Sequence, residues 1–233
     1  MINNGGGFYS ASVYLNEVRR LGYPVLPPDV NRSGMDHSAE YGGGPAFRLG
    51  LRRLTEVPRG FLEDLLAERE KGGHFTDFSD FLHRTDPSLV VLRYFIRSGA
   101  LDSISGGLTR PELFWAFFHR DEEASLFGLP AVPKSVGDYS ERTKLADELK
   151  TLGVLISRHP LSVFESAVEK LTARGAYPRR IDSRKVPEHV GERVSIAGIL
   201  ISGKEVRSRT KKSMGFLSFE DPQGIFETVL FPE

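Results

Sequence analysis

The chain has 233 residues, with 31 Lys+Arg balanced by 31 Asp+Glu and no cysteine. The missing cysteine excludes a disulfide scaffold, a thiolate zinc site and a cysteine nucleophile, and suits a reducing, cytoplasmic compartment. No apolar run approaches the ~18 residues of a membrane span, and Met1–Ser10 lacks the basic and apolar regions of a secretory signal, so no membrane partner is expected. Zero net charge speaks against a nucleic-acid partner only where the charge is evenly spread.

Residues 1–46 are rich in Gly and Pro. They predict one helix at about 11–21, capped by Ser10, with Tyr14, Val18 and Leu21 on one face and Gly22 as its stop. The remainder reads as loop. Residues 47–120 predict short helices joined by tight turns, a helical-hairpin domain. Pro58 opens a helix with the stripe Phe61, Leu62, Leu65 and Leu66. Thr76 caps one bearing Phe78, Phe81 and Leu82. Pro87 opens another with Val91, Tyr94 and Phe95 inward and Gly99 as its stop. Thr109 caps a fourth with Leu113, Phe114, Phe117 and Phe118.

Residues 121–140 read as a loop broken by Pro130 and Pro133. Within 141–175, Ser140 caps a helix with Leu145, Leu149 and Leu152 at helical spacing. Pro160 then starts a last helix with Leu161, Phe164, Val168 and Leu171 inward. In 176–233 the hydrophobic period changes to two, and Asp221-Pro222-Gln223-Gly224 is a hairpin signal between two apolar strands. These read as a three-stranded antiparallel unit. Its first connection, Gly203 to Ser213, carries Lys204, Arg207, Arg209, Lys211 and Lys212 against Glu205 alone, so the neutral total conceals a basic loop.

The six histidines match no metal spacing. There is no phosphate-binding GxxxxGK[ST] loop and no GxSxG elbow. Asp77 and Asp80 read as solvated carboxylates rather than a two-metal pair. No catalytic residue, metal site or cofactor is expected. Two binding features stand out, each with an alternative. The basic loop and the aromatic strand after it read either as a solubilising edge guarded by Lys or as a nucleic-acid groove. The acidic stretch Glu123-Ala124-Ser125-Leu126-Phe127 reads either as a loop whose Leu126 and Phe127 return to the core or as a linear motif placing two apolar anchors in a partner.

Several ordered motifs resemble the C-terminal part of the bacterial C-family replicative DNA polymerases. Gly6-Gly7-Phe8-Tyr9, Glu17-Val18-Arg19-Arg20-Leu21-Gly22 and Leu26-Pro27-Pro28-Asp29 are similar to the end of the fingers region. Phe47-Arg48-Leu49-Gly50-Leu51, Phe75-Thr76-Asp77-Phe78 and Phe95-Ile96-Arg97-Ser98-Gly99-Ala100-Leu101-Asp102 are similar to the tandem helix-hairpin-helix region. Leu152-Gly153-Val154-Leu155-Ile156-Ser157-Arg158-His159-Pro160-Leu161 is similar to the linker helices. Val194-Ser195-Ile196-Ala197-Gly198, Gly215-Phe216-Leu217 and Val229-Leu230-Phe231-Pro232 are similar to the start of the OB-fold.

The resemblance implies an α+β chain: a fingers-region tail (1–46), a tandem helix-hairpin-helix domain (47–120), a clamp-binding loop (121–140), linker helices (141–175) and a partial OB-fold (176–233). The antiparallel OB-like sheet would be incomplete, its edge at 225–231 paired, covered or disordered. The implied function is non-catalytic, because the metal-binding palm region has no counterpart here. Glu123, Ala124, Ser125, Leu126 and Phe127 would bind a sliding clamp. Arg97 and Gly99 would lie near duplex phosphates, and Lys204, Arg207, Arg209, Lys211 and Lys212 near single-stranded DNA. The remaining partners would be the rest of the polymerase or other replisome subunits. The rival reading is a self-standing protein-interaction module that competes for the clamp without binding DNA. A phosphate-gripping hairpin usually carries Gly-x-Gly. The first hairpin reads Glu56-Val57-Pro58 instead, whereas the second keeps Gly99.

Overall fold

A computed structural model describes residues 3, 7–119, 136–173, 178–207 and 213–231. In chain order its elements are α1 (Ala11–Arg20), β1 (Val25–Leu26), β2 (Ser38–Glu40), β3 (Ala46–Arg48), α2 (Arg59–Gly72), α3 (Phe78–Thr85), α4 (Leu89–Ser98) and α5 (Arg110–Phe118), followed by α6 (Glu141–Leu152), α7 (Glu165–Ala173), β4 (Ile199–Arg207), β5 (Ser213–Glu220) and β6 (Ile225–Leu230). This is the expected α+β class. The chain divides into two compact units, Pro24–Ile156 and Met1–Tyr23 with Ser157–Glu233. That division cuts the 1–46 segment, placing α1 in the same unit as the C-terminal strands.

In the helical unit, local capping sets the helix ends. The Ser88 hydroxyl accepts from the Val91 N–H and Asp77 accepts from the Asp80 N–H, each holding a first-turn donor. Asp77 rather than Thr76 is therefore the cap of α3. Glu112 accepts from both the backbone N–H and the hydroxyl of Thr109, which closes the first turn of α5. Pro58 sits one residue before α2 rather than as its first residue. The core is aromatic. Phe75, Phe78, Phe81 and Phe95 are fully buried, with Phe75 edge-on to Phe81 and Phe81 5.7 Å from Phe95.

One further expectation fails in this unit. Residues 24–48, read as loop, form a small mixed sheet of order β1-β3-β2, parallel between β1 and β3. On α6 the buried face carries Asp147, Glu148, Thr151 and Leu152, while Leu149 is 52% exposed. Glu148 is satisfied there by the Ile156 N–H at 2.9 Å. On α5, Leu113 and Ala116 are buried and Phe118 is exposed.

In the other unit, β4, β5 and β6 form an antiparallel meander. Asp221 organises the predicted hairpin. Its carboxylate accepts from the N–H groups of Gln223 and Gly224, and also from the backbone and hydroxyl of Ser183. On α1 the buried residues are Val13, Leu15 and Asn16, and Leu21 is exposed, so the buried face is rotated from the predicted one. Phe164 and Leu171 are about half exposed rather than inward. Phe164 and Val168 line an open apolar cleft of about 690 Å³ with Phe219, Phe226 and Leu230. The outer edge of β6 has no strand partner among the described residues of this chain.

Candidate nucleic-acid interface

The second hairpin joins α4 to α5. Gly99 ends α4 with φ +82, and Ala100 N–H reaches back to the Phe95 carbonyl, the left-handed stop that glycine adopts without a Cβ penalty. The space beside Gly99 is occupied. A Cβ there would lie 2.3 Å from Arg110 Nη2 and 2.8 Å from Asp102 Oδ2. Arg110 donates to Asp102 at 2.9 Å and, through Nη1, to the Arg97 carbonyl at 2.9 Å.

Arg97 itself faces α6, with Nη1 3.6 Å from Asp147 Oδ1. Arg97 Nε and Asp147 Oδ2 are both buried without a hydrogen-bond partner among the described residues. Burial pushes the Asp147 carboxyl above its ordinary range, and Arg97, Arg110 and Lys150 pull it back. Thus the two residues expected near duplex phosphate are close together, but each already has an internal neighbour.

The first hairpin is tied to the end of α6. Thr55 N–H donates to the Thr151 carbonyl and its hydroxyl to the Lys150 carbonyl. Glu56 takes φ +60, the left-handed conformation a glycine would take more cheaply. Arg53 stands beside it, half-buried and without an acidic partner among the described residues. No motif singled out Arg53 or Arg110, because their roles come from chain segments brought together by the fold.

The β sheet corrects the basic loop. Lys204 and Arg207 lie within β4, which pairs with β5 as far as Arg207–Ser213. They are three apart in a strand, so they project from opposite faces. Lys204 sits opposite Phe216, which sits opposite Val229, in one row across the sheet. Phe216 is 43% and Val229 39% exposed. Neither Lys204 nor Arg207 has an ion-pair partner among the described residues. Arg209, Lys211 and Lys212 lie outside the described residues, as do Glu123, Ala124, Ser125, Leu126 and Phe127.

At the other end of β5, Glu220 is held by Asn16 Nδ2 at 3.0 Å and Arg20 Nη1 at 2.8 Å, both from α1. Burial raises the Glu220 pKa and these two donors oppose the rise. His159 lies 4.0 Å from the same carboxylate. Burial, reinforced by nearby Arg20, lowers its pKa to about 4. No cluster of three or more His, Cys, Asp or Glu capable of holding a metal occurs among the described residues. Nor is any described helix long and apolar enough to cross a membrane.

A helix-hairpin-helix motif family matches residues 22–113, mostly within the helical unit. The chain is 32% identical to the DNA polymerase III subunit alpha of Bacillus subtilis over 95% of its own length and 20% of the relative's. It is 31% identical to that of Thermus aquaticus over 94% and 18%. An error-prone DNA polymerase of Bdellovibrio bacteriovorus matches at 26% over 97% and 23%. The chain is thus a relative of the DNA polymerase III alpha subunits, as its motifs implied, and spans about one fifth of the length of the curated relatives it matches.

Proposed function

We propose that this chain supplies DNA and sliding-clamp contacts for bacterial replicative DNA synthesis and carries no catalytic centre of its own. The observation that carries the DNA reading is the row Lys204–Phe216–Val229, an ammonium with no ion-pair partner among the described residues beside an exposed aromatic ring. An ammonium meets a phosphate and releases its counterion, while the ring stacks on a base without regard to its identity. Arg207 adds a second positive charge on β4, and the sequence that follows it carries Arg209, Lys211 and Lys212. The helix-hairpin-helix match and the similarity to polymerase alpha subunits support duplex DNA and replisome subunits as the other partners. Leu126 and Phe127 serve as apolar anchors for a clamp pocket, in a sequence that also carries Glu122 and Glu123.

Binding of a fluorescent single-stranded oligonucleotide, titrated with salt, tests the DNA part. Phe216→Ala should weaken it by about 1–3 kcal/mol, while unchanged affinity would remove the stacking platform. For the clamp, Leu126→Ala/Phe127→Ala should cost about 2 kcal/mol or more. Unaltered clamp affinity would return the pair to core packing. Magnesium-dependent nucleotide incorporation by the chain alone would overturn the non-catalytic part.

A further inference from the structure

The pair between Arg97 and Asp147 is poorly made. A good guanidinium–carboxylate pair is bidentate, at about 2.7–2.9 Å. Here one contact spans 3.6 Å, and Arg97 Nε and Asp147 Oδ2 are each buried without a hydrogen bond. The exposures are unequal: 31% for the Arg97 side chain and 8% for Asp147. Arg97 is therefore the more exposed partner, while the carboxylate stays inside. Nor can Arg97 turn across the hairpin, because Arg110 occupies its carbonyl and fills the space over Gly99. Asp102 neutralises Arg110 in the same way, through two donors on one carboxylate.

We infer that Asp147 is an internal competitor for the phosphate that Arg97 would otherwise bind, so that this hairpin is self-neutralised in the free protein. A carboxylate oxygen and a phosphate oxygen offer a guanidinium the same acceptor. The exchange costs Arg97 one long contact and gains it well-aligned charge-assisted bonds. Arg110 and Lys150 remain near the carboxylate that is left behind. This inference rests on the DNA-binding reading above and concerns how that site is regulated.

The test is binding of a short DNA duplex by the full chain, titrated with salt, for wild type, Asp147→Asn, Arg97→Ala and the double variant. Asp147→Asn should tighten binding at least about threefold at low salt and steepen the log K against log salt slope by about 0.9, one additional phosphate contact. Both gains should vanish when Arg97→Ala is added. Asp64→Asn, which removes an exposed acid from α2, should give neither. A gain that survives Arg97→Ala, a similar gain from Asp64→Asn, or unchanged binding in a folded Asp147→Asn protein would overturn the inference and leave duplex binding standing. If Asp147→Asn unfolds, Arg97→Ala alone decides. It should leave wild-type affinity within about twofold, whereas a slope shallower by about 0.9 would show that Arg97 already meets phosphate. No binding of duplex by any variant at low salt would remove the DNA reading of the hairpin itself, and this inference with it.

Discussion

The second hairpin and strand β4 treat their basic side chains in opposite ways. In the helical unit Arg48, Arg52, Arg59, Arg84, Arg97 and Arg110 each face a carboxylate, and Arg69 is spent on the Val30 and Ser33 carbonyls. In β4, Lys204 and Arg207 face none among the described residues, and Phe216 beside Lys204 is exposed. A basic residue held by a carboxylate must give up that partner before it can bind a phosphate, so its net gain is small. An unpaired one on a strand surface has nothing to give up. The difference teaches that a motif match and an available charge are separate properties. The helix-hairpin-helix match covers the second hairpin, where Arg97 and Arg110 face carboxylates, and stops well before β4, where Lys204 and Arg207 have no ion-pair partner among the described residues.

Acid sharpens the comparison most, because each unit holds one histidine whose pKa is lowered to about 4, chiefly by burial. For both, the folded state disfavours the charged form and the unfolded chain takes the proton first. Their contribution is fully present above about pH 6.5 and is lost as pH falls toward 4. At pH 4.5 each should have given up about 2–3 kcal/mol relative to pH 7. In the helical unit this histidine is His37, whose Nδ1 accepts from the Gly50 N–H. In the sheet unit, His159 is accompanied by Glu220, whose pKa is raised. A raised carboxyl pKa works the other way, because protonation then favours the folded state and stability falls as pH rises past the ordinary glutamate range. The helical unit carries the same kind of offset in Asp147, whose pKa burial also raises, so site-resolved hydrogen exchange between pH 7 and 4.5 should show both units losing protection, the helical unit through His37. His37→Asn should flatten that loss. Unchanged protection in a unit over this range would mean that its histidine does not resist protonation in the fold.

What could be read from the residues was whatever is decided within about four positions. Ser140 and Gly153 bounding α6, Thr109 with Glu112 opening α5, Gly99 ending α4 and the Asp221–Gly224 hairpin are all local bargains between a side chain and nearby backbone groups. Strands of two or three residues, such as β1 and β3, have no room to display an alternation, so the small sheet read as loop. The grip of Asn16 and Arg20 on Glu220 joins residues 204 and 200 positions apart, and no pattern in either segment announces it. On α6 the apolar spacing pointed to Leu145, Leu149 and Leu152. The face that is buried instead holds Asp147 and Glu148, because neighbouring segments supply the Ile156 N–H and the Arg97 guanidinium. The same distance effect governs the site. Gly99 and Arg97 were legible from their motif, but their engagement by Arg110 and Asp147 was not.

Gly99→Ala is the smaller and more local way to break the comparison. Two separate costs are expected from one methyl group. At φ +82 an alanine pays about 1–2 kcal/mol for the left-handed backbone alone. Its Cβ would also fall 2.3 Å from Arg110 Nη2, so the guanidinium must leave Asp102, the Arg97 carbonyl or both. The backbone cost is common to any helix stopped by glycine, whereas the displacement of Arg110 is specific to this hairpin. Adding Arg110→Ala separates them. If Arg110 roofs Gly99, the methyl group should cost less in the Arg110→Ala background, leaving about the backbone strain. If the cost is the same in both backgrounds, Arg110 does not close the hairpin, and its guanidinium joins Lys204 and Arg207 among the charges free to meet a phosphate.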